Sequence, residues 1–335
     1  MAAWQFKKWR ITLKASIIFN PRAGAKSLQA DILQAGKTLE QHGWHLTWAN
    51  TEYPGHATIL AQQSAARGDD IAIAVGGDGT VNEVVNGLVG TSTVLGIIPA
   101  GTANVFAADM RIPLPGPLPH QTLVRAAETL LVSQPQSVDV GSAVWGNGRR
   151  RYFLSWAGTG LDAAVSSAVE SEKHTHRVWR FLGMFGWLIT AFFVLREFRG
   201  TQMHISLDKE RTILRRVIMV TVNNAQLYGR FWRLSPNAKL DDGWLDVVVM
   251  EGYGWRSSVR HIFNATTGKL IDDPDTFLFR VKHIHLETKE PMPVHLDAEA
   301  VGYTPLTVEI VPQSLRVMLP PNAPPNRFAH REGAF

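Results

Sequence analysis

The sequence predicts two domains, an α/β domain with a parallel sheet and, after it, an all-β domain organised as an antiparallel β-sandwich. The 335 residues are enough for two hydrophobic cores. Strand-like and helix-like runs alternate up to residue 136, whereas mainly strand-like runs follow from residue 137. We therefore assign residues 1–136 to the α/β domain and residues 137–319 to the β-rich domain. The proline-containing residues 320–335 are expected to form an extended tail.

The elements of the first domain follow from short apolar runs, each succeeded by a turn and then by apolar residues at helical spacing. Strands are predicted at residues 15–19, 45–49, 71–75 and 94–98, and helices at residues 27–42, 56–66, 81–88 and 120–132. This order is typical of a parallel sheet covered by helices. Because ligands of such sheets bind at the carboxyl ends of the strands, the loops after the strands are expected to form one cleft.

The second domain reads as a series of strands, with one predicted helix. Gly146-Asn147-Gly148 lies between two strand-like runs and predicts a β-hairpin. Strands are predicted at residues 138–144, 151–156, 203–207, 213–223, 244–250, 276–286, 306–311 and 315–319. Residues 177–199 predict an apolar helix with one face packed inward and one toward lipid. Its apolar run, residues 181–195, reaches only ~22 Å, too short for a hydrocarbon core of ~30 Å.

The composition limits the classes of function. Because the chain has no cysteine, disulfides and thiolate metal sites are excluded. The net charge of +5 favours an anionic partner, such as a nucleotide or an anionic membrane surface. Apart from Arg149-Arg150-Arg151 the cations are scattered, which argues against nucleic acid. The N-terminal residues lack the apolar segment of a signal peptide, so a cytoplasmic location with peripheral membrane contact is expected.

The loop Gly76-Gly77-Asp78-Gly79-Thr80 is the strongest candidate for a ligand site. Glycines let the main chain approach a ligand, and the N-terminus of the helix that follows attracts an anion. The spacing is neither that of the dinucleotide-binding fingerprint nor that of the Walker loop. A carboxylate in a phosphate site would repel the phosphate, so Asp78 implies Mg²⁺, bound through water. The alternative is that Asp78 caps the helix that begins near Val81.

Further motifs follow in a fixed order along the chain. They are Asn20-Pro21-Arg22-Ala23-Gly24, Gly101-Thr102-Ala103-Asn104, Ala157-Gly158-Thr159-Gly160-Leu161-Asp162, and the two blocks at residues 223–229 and 234–247. Together with the glycine loop, this set resembles the diacylglycerol kinase catalytic-domain family, which includes bacterial lipid kinases and the sphingosine and ceramide kinases. NAD kinases and 6-phosphofructokinases are more distant relatives with the same Gly-Gly-Asp-Gly core, and the resemblance implies their nucleotide-domain fold for the first domain.

The resemblance implies ATP and Mg²⁺ as cofactors and assigns roles to particular residues. ATP would contact Asn20, Thr51, Gly76, Gly77, Asp78, Gly79, Thr80, Asn82, Gly101 and Thr102. The lipid substrate would contact Asp162 and Asp297, and a structural Mg²⁺ would bind Asp242 with the main-chain carbonyls of Lys239 and Trp244. Glu299 would be the general base on the lipid hydroxyl, with Asp78 as the second catalytic residue.

The sequence departs from the family pattern at Ala298, where Asp-Gly-Glu is usual. Alanine there would be strained if the position needs a positive φ, and Glu299 would then be displaced. The predicted function is that of a lipid kinase that works at the membrane surface. The alternatives are a soluble small-molecule kinase similar to NAD kinase, and a lapsed kinase that only binds nucleotide or lipid. The sequence also leaves a homodimer open.

Overall fold

The computed structural model describes residues 13–21, 28–115, 122–161, 163–164, 196 and 198–330. The chain forms two compact units. The first contains Met1–Gln136 and Arg316–Ala323, and the second contains Ser137–Leu315 and Pro324–Phe335. The sequence does not predict the return of residues 316–323 to the first unit.

The first unit is built on a parallel sheet, as the sequence predicts. Its strands are β1 (Lys14–Phe19), β2 (His45–Asn50), β3 (Ile71–Gly76) and β4 (Val94–Pro99), in the spatial order β2-β1-β3-β4. The end of the last strand of the chain adds beside β4 in parallel, with Val317 opposite Leu95. Every residue of β3 and β4 is buried, as expected for parallel strands that are covered on both faces.

Five helices of the described residues belong to this unit. They are α1 (Leu28–Gln41), α2 (His56–Ala66), α3 (Asp78–Leu88), α4 (Val105–Asp109) and α5 (Thr122–Val132). Helix α3 begins at Asp78 rather than near Val81, because the second half of the glycine loop already forms its first turn. A Cβ on Gly87 would lie 2.5 Å from the Thr58 carbonyl oxygen, so glycine lets α2 and α3 pack closely.

The second unit consists mainly of antiparallel strands, which confirms the predicted fold class. The strands are β5 (Gln134–Trp145), β6 (Arg149–Phe153), β7 (Trp156–Gly160), β8 (Thr201–Leu207), β9 (Arg211–Asn223), β10 (Leu227–Tyr228), β11 (Trp232–Arg233), β12 (Leu245–Glu251), β13 (Thr276–Val281), β14 (His283–Thr288), β15 (Pro293–Leu296), β16 (Glu299–Tyr303) and β17 (Leu306–Leu319). The main path runs β16-β15-β7-β9-β8-β14-β17, and β12 pairs with β9 and β13. Helix α6 (Gly254–Thr267) follows β12 and is not predicted from the sequence.

Three strand predictions are wrong in this unit. The strand predicted at residues 151–156 is divided, since β6 ends at Phe153 and β7 begins at Trp156. Residues 276–286 form two strands, because Asp208 Oδ1 accepts hydrogen bonds from the Lys282 and His283 amides at 2.8 and 2.9 Å where the chain turns. Residues 306–319 form one strand instead of two. Its interior contains Gln313 at φ 46°, whose amide donates to Asp139 Oδ1 at 2.7 Å.

The expectation of an extended tail is wrong for residues 320–330. Pro325–Arg327 forms a short 3₁₀ helix, and Arg327 and Phe328 are buried in the second unit. The Arg327 carbonyl accepts a hydrogen bond from the Leu240 amide at 2.8 Å, so backbone pairing fixes this segment.

Some predictions fall outside the described residues. Asp162 is one of them, and nearly all of the helix predicted at residues 177–199 is another. Among the residues that the structure describes, no helix combines the length and hydropathy needed to cross a membrane.

Candidate active site

The glycine loop of the first unit joins the end of β3 to the start of α3. Gly77 is the N-cap residue, with φ −88° and ψ −173°, and has no side chain that could accept a hydrogen bond from the helix. Residues 78–80 form the first turn of α3, where the amides point away from the helix and have no intrahelical acceptor. Such amides, together with the helix dipole, favour an anion at this end of α3.

A second loop, after β4, packs directly on the glycine loop. The Ala100 amide donates to the Gly76 carbonyl at 2.8 Å, which extends the pairing of β3 and β4. A Cβ on Gly101 would lie 2.5 Å from Gly77 Cα, a distance that backbone atoms do not tolerate. Glycine is therefore required at Gly101 for the two loops to meet.

Asp78 connects these two loops. Its carboxylate accepts hydrogen bonds from the amides of Asn104, at 2.8 Å, and Val105, at 2.7 Å. Asp78 thus acts as a cap, as the alternative interpretation holds, but for α4 rather than for α3. An ionised carboxylate accepts about four hydrogen bonds, so these two contacts do not by themselves prevent a water of hydrated Mg²⁺ from binding Asp78.

Strands β1 and β2 end at the same edge of this sheet, with Phe19 opposite Asn50. The Asn20 amide donates to the Val75 carbonyl at 3.4 Å, and the Thr51 amide donates to the Phe19 carbonyl at 2.9 Å. The structure therefore brings Asn20 and Thr51 to the sheet edge that bears the glycine loop. Thr51 and Thr80 are buried there, whereas Gly79 and Thr102 are exposed.

Asn82 lies one turn into α3 and is buried. Its carbonyl and side-chain oxygens accept hydrogen bonds from Asn86 Nδ2 at 2.9 and 3.1 Å. Next to it, the Glu83 carboxylate accepts from the Gly55 and Ala57 amides, at 2.8 and 3.0 Å, and caps α2. These contacts give Asn82 and Glu83 a structural role in α3 and at the start of α2. The contact of Asn82 with ATP stays a prediction.

In the second unit, Glu299 follows a two-residue turn between β15 and β16. Asp297 and Ala298 have φ values of 46° and 70°, and Leu296 pairs with Glu299 across the turn. Positive φ at both central residues is the geometry of a type I′ hairpin, which favours Asn-Gly or Asp-Gly. Ala298 therefore does occupy a position that suits glycine, but the hairpin closes and keeps Glu299 at the start of β16.

The Asp297 carboxylate fixes this turn from below. It is 7% exposed and accepts hydrogen bonds from the amides of Leu154, Ser155 and Trp156 at 2.9, 2.8 and 3.1 Å. The Asp297 amide donates in turn to the Trp156 carbonyl at 2.9 Å. These bonds assign Asp297 a positioning role for the hairpin, and its contact with substrate stays a prediction.

Arg151 is the partner of Glu299, and the sequence pattern does not identify it. Its guanidinium, on β6, donates to Glu299 Oε2 at 2.7 Å, and the Glu299 side chain is 46% exposed. The only signal in the sequence is the run Arg149-Arg150-Arg151, which stands out as charge but does not show which arginine meets the carboxylate.

The strand beside the Glu299 hairpin, β7, contains most of the glycine motif at residues 157–162. Residues 157–160 belong to β7, which pairs with β15 so that Gly158 lies opposite His295. A Cβ on Gly158 would lie 2.4 Å from His295 Nε2, so the buried imidazole packs against bare backbone. Tyr228 stands edge-on to His295, with ring centroids 6.3 Å apart, and contacts Trp156 at 4.9 Å.

The acidic block at residues 241–246 is held by hydrogen bonds within the second unit. Buried Asp139 accepts from the Gly243 amide at 2.7 Å, and burial raises the pKa of its carboxyl group. Asp242 accepts from the Trp244 amide at 3.0 Å and forms an ion pair with Arg280. Burial also raises the pKa of Asp242, which the Arg280 guanidinium partly opposes.

These contacts bear on the structural Mg²⁺ that the resemblance assigns to Asp242. Arg280 already neutralises the carboxylate, and Lys239 Nζ donates to the Asn326 carbonyl at 2.7 Å. Among the described residues, no three His, Cys, Asp or Glu side chains cluster as metal ligands. Asp242 thus has one amide and one guanidinium partner, and its role as a ligand of Mg²⁺ stays a prediction.

Comparisons with known proteins match the two units in the same order. The model of the diacylglycerol kinase catalytic domain matches residues 14–143, and that of the YegS C-terminal NAD kinase beta sandwich-like domain matches residues 155–319. A diacylglycerol kinase of Bacillus subtilis strain 168 is 28% identical over 309 residues, which cover 92% of this chain and 96% of the relative. One from Staphylococcus haemolyticus is also 28% identical and covers 91% of this chain and 88% of the relative.

A solved structure shows the same likeness. The crystal structure of a diacylglycerol kinase from Bacillus anthracis strain Sterne aligns with a TM-score of 0.69 and 26% identity, over 93% of this chain and 98% of that one. The matches cover both units and include the glycine loop and the hairpin of Glu299. Residues 14–143 therefore belong to the diacylglycerol kinase catalytic-domain family, whose members are phosphotransferases with an alcohol group as acceptor, and both units align with proteins named diacylglycerol kinase.

Proposed function

We propose that this chain transfers the γ-phosphate of ATP to the hydroxyl group of a membrane lipid, with a diacylglycerol as the first candidate. The observation that carries the proposal is the loop at the start of α3, where glycines expose helix amides and Asp78 ties the loop to its neighbour. The names of the relatives support the lipid, because proteins that align over nearly the whole chain are called diacylglycerol kinases.

The nucleotide half of the reaction would depend on the first unit. The amides at the start of α3 would bind phosphate oxygens, and the contact of Gly77 with Gly101 keeps side chains away from that place. Asp78 would hold a hydrated Mg²⁺, which supplies positive charge to the phosphates. Asp78 is suited to this task because two backbone amides already fix its carboxylate.

The acceptor half would depend on Glu299. A carboxylate is a weak base near neutral pH, so its main task is to orient the hydroxyl group and to accept the proton as the bond to phosphorus forms. The geometry suits this role, because Asp297 anchors the turn and Arg151 holds one carboxylate oxygen. The exposed side chain is open to a substrate from solution or from a membrane.

The two alternatives make different predictions. A soluble kinase would phosphorylate NAD or another small hydroxyl compound, and a lapsed kinase would bind ATP without turnover. The hairpin at Ala298 supports an active kinase over a lapsed one, because Glu299 keeps its pairing with Leu296.

The test is a transfer assay with γ-labelled ATP, in the presence of Mg²⁺. The acceptors are detergent-dispersed diacylglycerol, ceramide, sphingosine, a total lipid extract and NAD. We expect label in a lipid product and none in NAD. Label in NAD alone would support the soluble kinase, and ATP binding with no labelled product would support the lapsed kinase.

A further inference from the structure

Helix α6 of the second unit is oriented against the usual rule for an amphipathic helix. Its buried side consists of Gly254, Ser258 and His261. Its exposed apolar side chains lie on a neighbouring side, centred about 120° around the helix from the buried one, with exposed fractions of 49% for Trp255, 42% for Val259, 41% for Ile262 and 63% for Phe263. At 100° per residue these four positions fall within one sector of about 100°. They form one face, which we call the α6 face.

Hydrogen bonds, rather than apolar packing, hold the inner side of the helix. His261 Nε2 lies 2.7 Å from the Glu251 carbonyl oxygen, and Asn264 Nδ2 donates to Asp273 Oδ2 at 2.6 Å. The helix is thus fixed with its apolar side outward. Exposed apolar groups on one face lose the stabilisation that burial would give, and such a patch usually marks an interaction site.

Neighbouring elements extend the patch with more aromatic side chains. Tyr253, at the N-cap of α6, is 62% exposed. Trp232 Nε1 donates to Thr266 Oγ1 at 3.2 Å, which places the β10–β11 loop against the end of the helix. In that loop Phe231 is 87% exposed, the largest exposure among the large hydrophobic residues of the described chain.

The charged residues of α6 itself are basic. Residues 252–269 contain Arg256, Arg260 and Lys269 but no aspartate or glutamate, and of these three Arg260 is ion-paired with Asp273 and Asp275 of the following segment. The Arg256 guanidinium lies 5.6 Å from the centroid of the Trp255 ring, and Arg216 lies 5.5 Å from that of Tyr253. Aromatic side chains interleaved with exposed arginines match the interface of an anionic bilayer, where the rings enter the headgroup region and the arginines meet phosphates.

We propose that the α6 face, with Tyr253 and Phe231, docks the chain on an anionic lipid bilayer. The proposal rests on the proposed function, because a lipid substrate is reached at a membrane surface. Docking would bury the apolar side of α6 that the fold leaves in water, and the arginines would restrict it to membranes with negative headgroups.

The first experiment measures binding to vesicles without ATP. Full-length protein is sedimented with vesicles of phosphatidylcholine alone or with added phosphatidylglycerol. We expect binding to the anionic vesicles, and a loss of affinity of about tenfold or more in the double variant Trp255→Ser, Phe263→Ser. The matched control is Leu33→Ser, Val132→Ser, which removes two exposed apolar side chains of the first unit and should bind like the parent.

A second measurement leaves Trp255 and Phe263 in place and reports whether the α6 face enters the bilayer. Because the chain has no cysteine, Val259→Cys can be labelled with the environment-sensitive dye NBD, with Leu33→Cys as control. We expect a blue shift and increased emission on anionic vesicles for the label at position 259 only. Equal responses at both positions, or unchanged binding of the double variant, would overturn the proposal.

Two further outcomes separate the proposal from its rivals. If the double variant changes a parent dimer into a monomer in analytical ultracentrifugation while vesicle binding is unchanged, the face is an interface between copies and the proposal is wrong. Phosphorylation of detergent-dispersed diacylglycerol tests the proposed function independently. Its absence with vesicle binding intact would reject the kinase but not the docking, whereas activity with unchanged binding of the double variant would reject the docking alone.

Discussion

Arg151 donates a hydrogen bond of 2.7 Å to Glu299 Oε2. The bond connects β6 with β16, although the two residues lie 148 positions apart in the sequence. The pair sits above the turn that Asp297 anchors through three backbone amides. Both side chains of the pair are partly exposed, so the contact contributes little to folding, about 1 kcal/mol or less. Its main effect is to fix the direction of the Glu299 carboxylate.

Replacement of Arg151 should therefore affect activity more than stability. We expect Arg151→Gln to lower kcat by about tenfold, because the carboxylate loses its orientation, while Tm stays close to that of the parent. Arg151→Lys should recover part of the activity, and Arg150→Gln, on the same strand, is the control. An Arg151→Gln enzyme with parental kcat would show that Glu299 needs no partner.

The turn at Ala298 offers a test of backbone strain. At φ 70° alanine is disfavoured, so Ala298→Gly should raise the free energy of unfolding by about 0.5–1 kcal/mol after the greater flexibility of glycine in the unfolded chain is included. The control is Ala300→Gly within β16, which should lower stability by a similar amount. Urea denaturation measures both, and a destabilised Ala298→Gly would contradict the strain at this turn.

The contact between the two loops of the first unit depends on Gly101. A methyl group in Gly101→Ala would lie 2.5 Å from Gly77 Cα, so the loops must separate. We expect a loss of about 2 kcal/mol in the free energy of unfolding and weaker binding of ATP, measured by denaturation and calorimetry. In Gly77→Ala the new Cβ would lie 3.5 Å from Gly101 Cα, an ordinary contact, and stability should be nearly unchanged. Equal stability losses in the two variants would refute this packing.

Asp246, on β12, should make stability depend on pH. Burial raises its pKa to about 6, Asp242 adds to the rise, and Arg280 opposes it. A carboxyl group whose pKa is higher in the folded state than the unfolded value of 3.8 destabilises the fold as pH rises from about 4 through 6. The destabilisation is complete above that range.

Asp246→Asn should therefore raise Tm at pH 7.5 and lose this advantage as the pH falls toward 4. Thermal melts at several pH values measure the difference between variant and parent. Asp272→Asn, at an exposed position, is the control. Its Tm should differ little from that of the parent at every pH. A Tm difference for Asp246→Asn that does not change with pH would contradict the assigned titration.

Much of the fold can be predicted from local patterns. The runs in β3 and β4 are apolar throughout because both faces are buried, and the glycines after them mark the loops at the strand ends. These features depend on residues that are close in sequence. The strands β15 and β16, with the hairpin of Asp297 and Ala298 between them, are not predicted from the sequence.

The remainder depends on contacts between distant residues. Asp78 caps a helix that begins 27 residues later, and the pairing of Arg151 with Glu299 depends on how two hairpins are placed. Helix α6 is missed for a different reason. Pattern rules place an apolar face inward, whereas this helix buries Ser258 and His261 and exposes Trp255 and Phe263.

The most direct test of the kinase proposal is Glu299→Gln, assayed for transfer of label from γ-labelled ATP to diacylglycerol and, separately, for ATP binding by calorimetry. Glutamine keeps the size of the side chain but cannot accept the proton of the acceptor hydroxyl. We expect ATP affinity to be unchanged and kcat to fall by about 10²-fold or more. Transfer at the parental rate would contradict the role of Glu299 as the base.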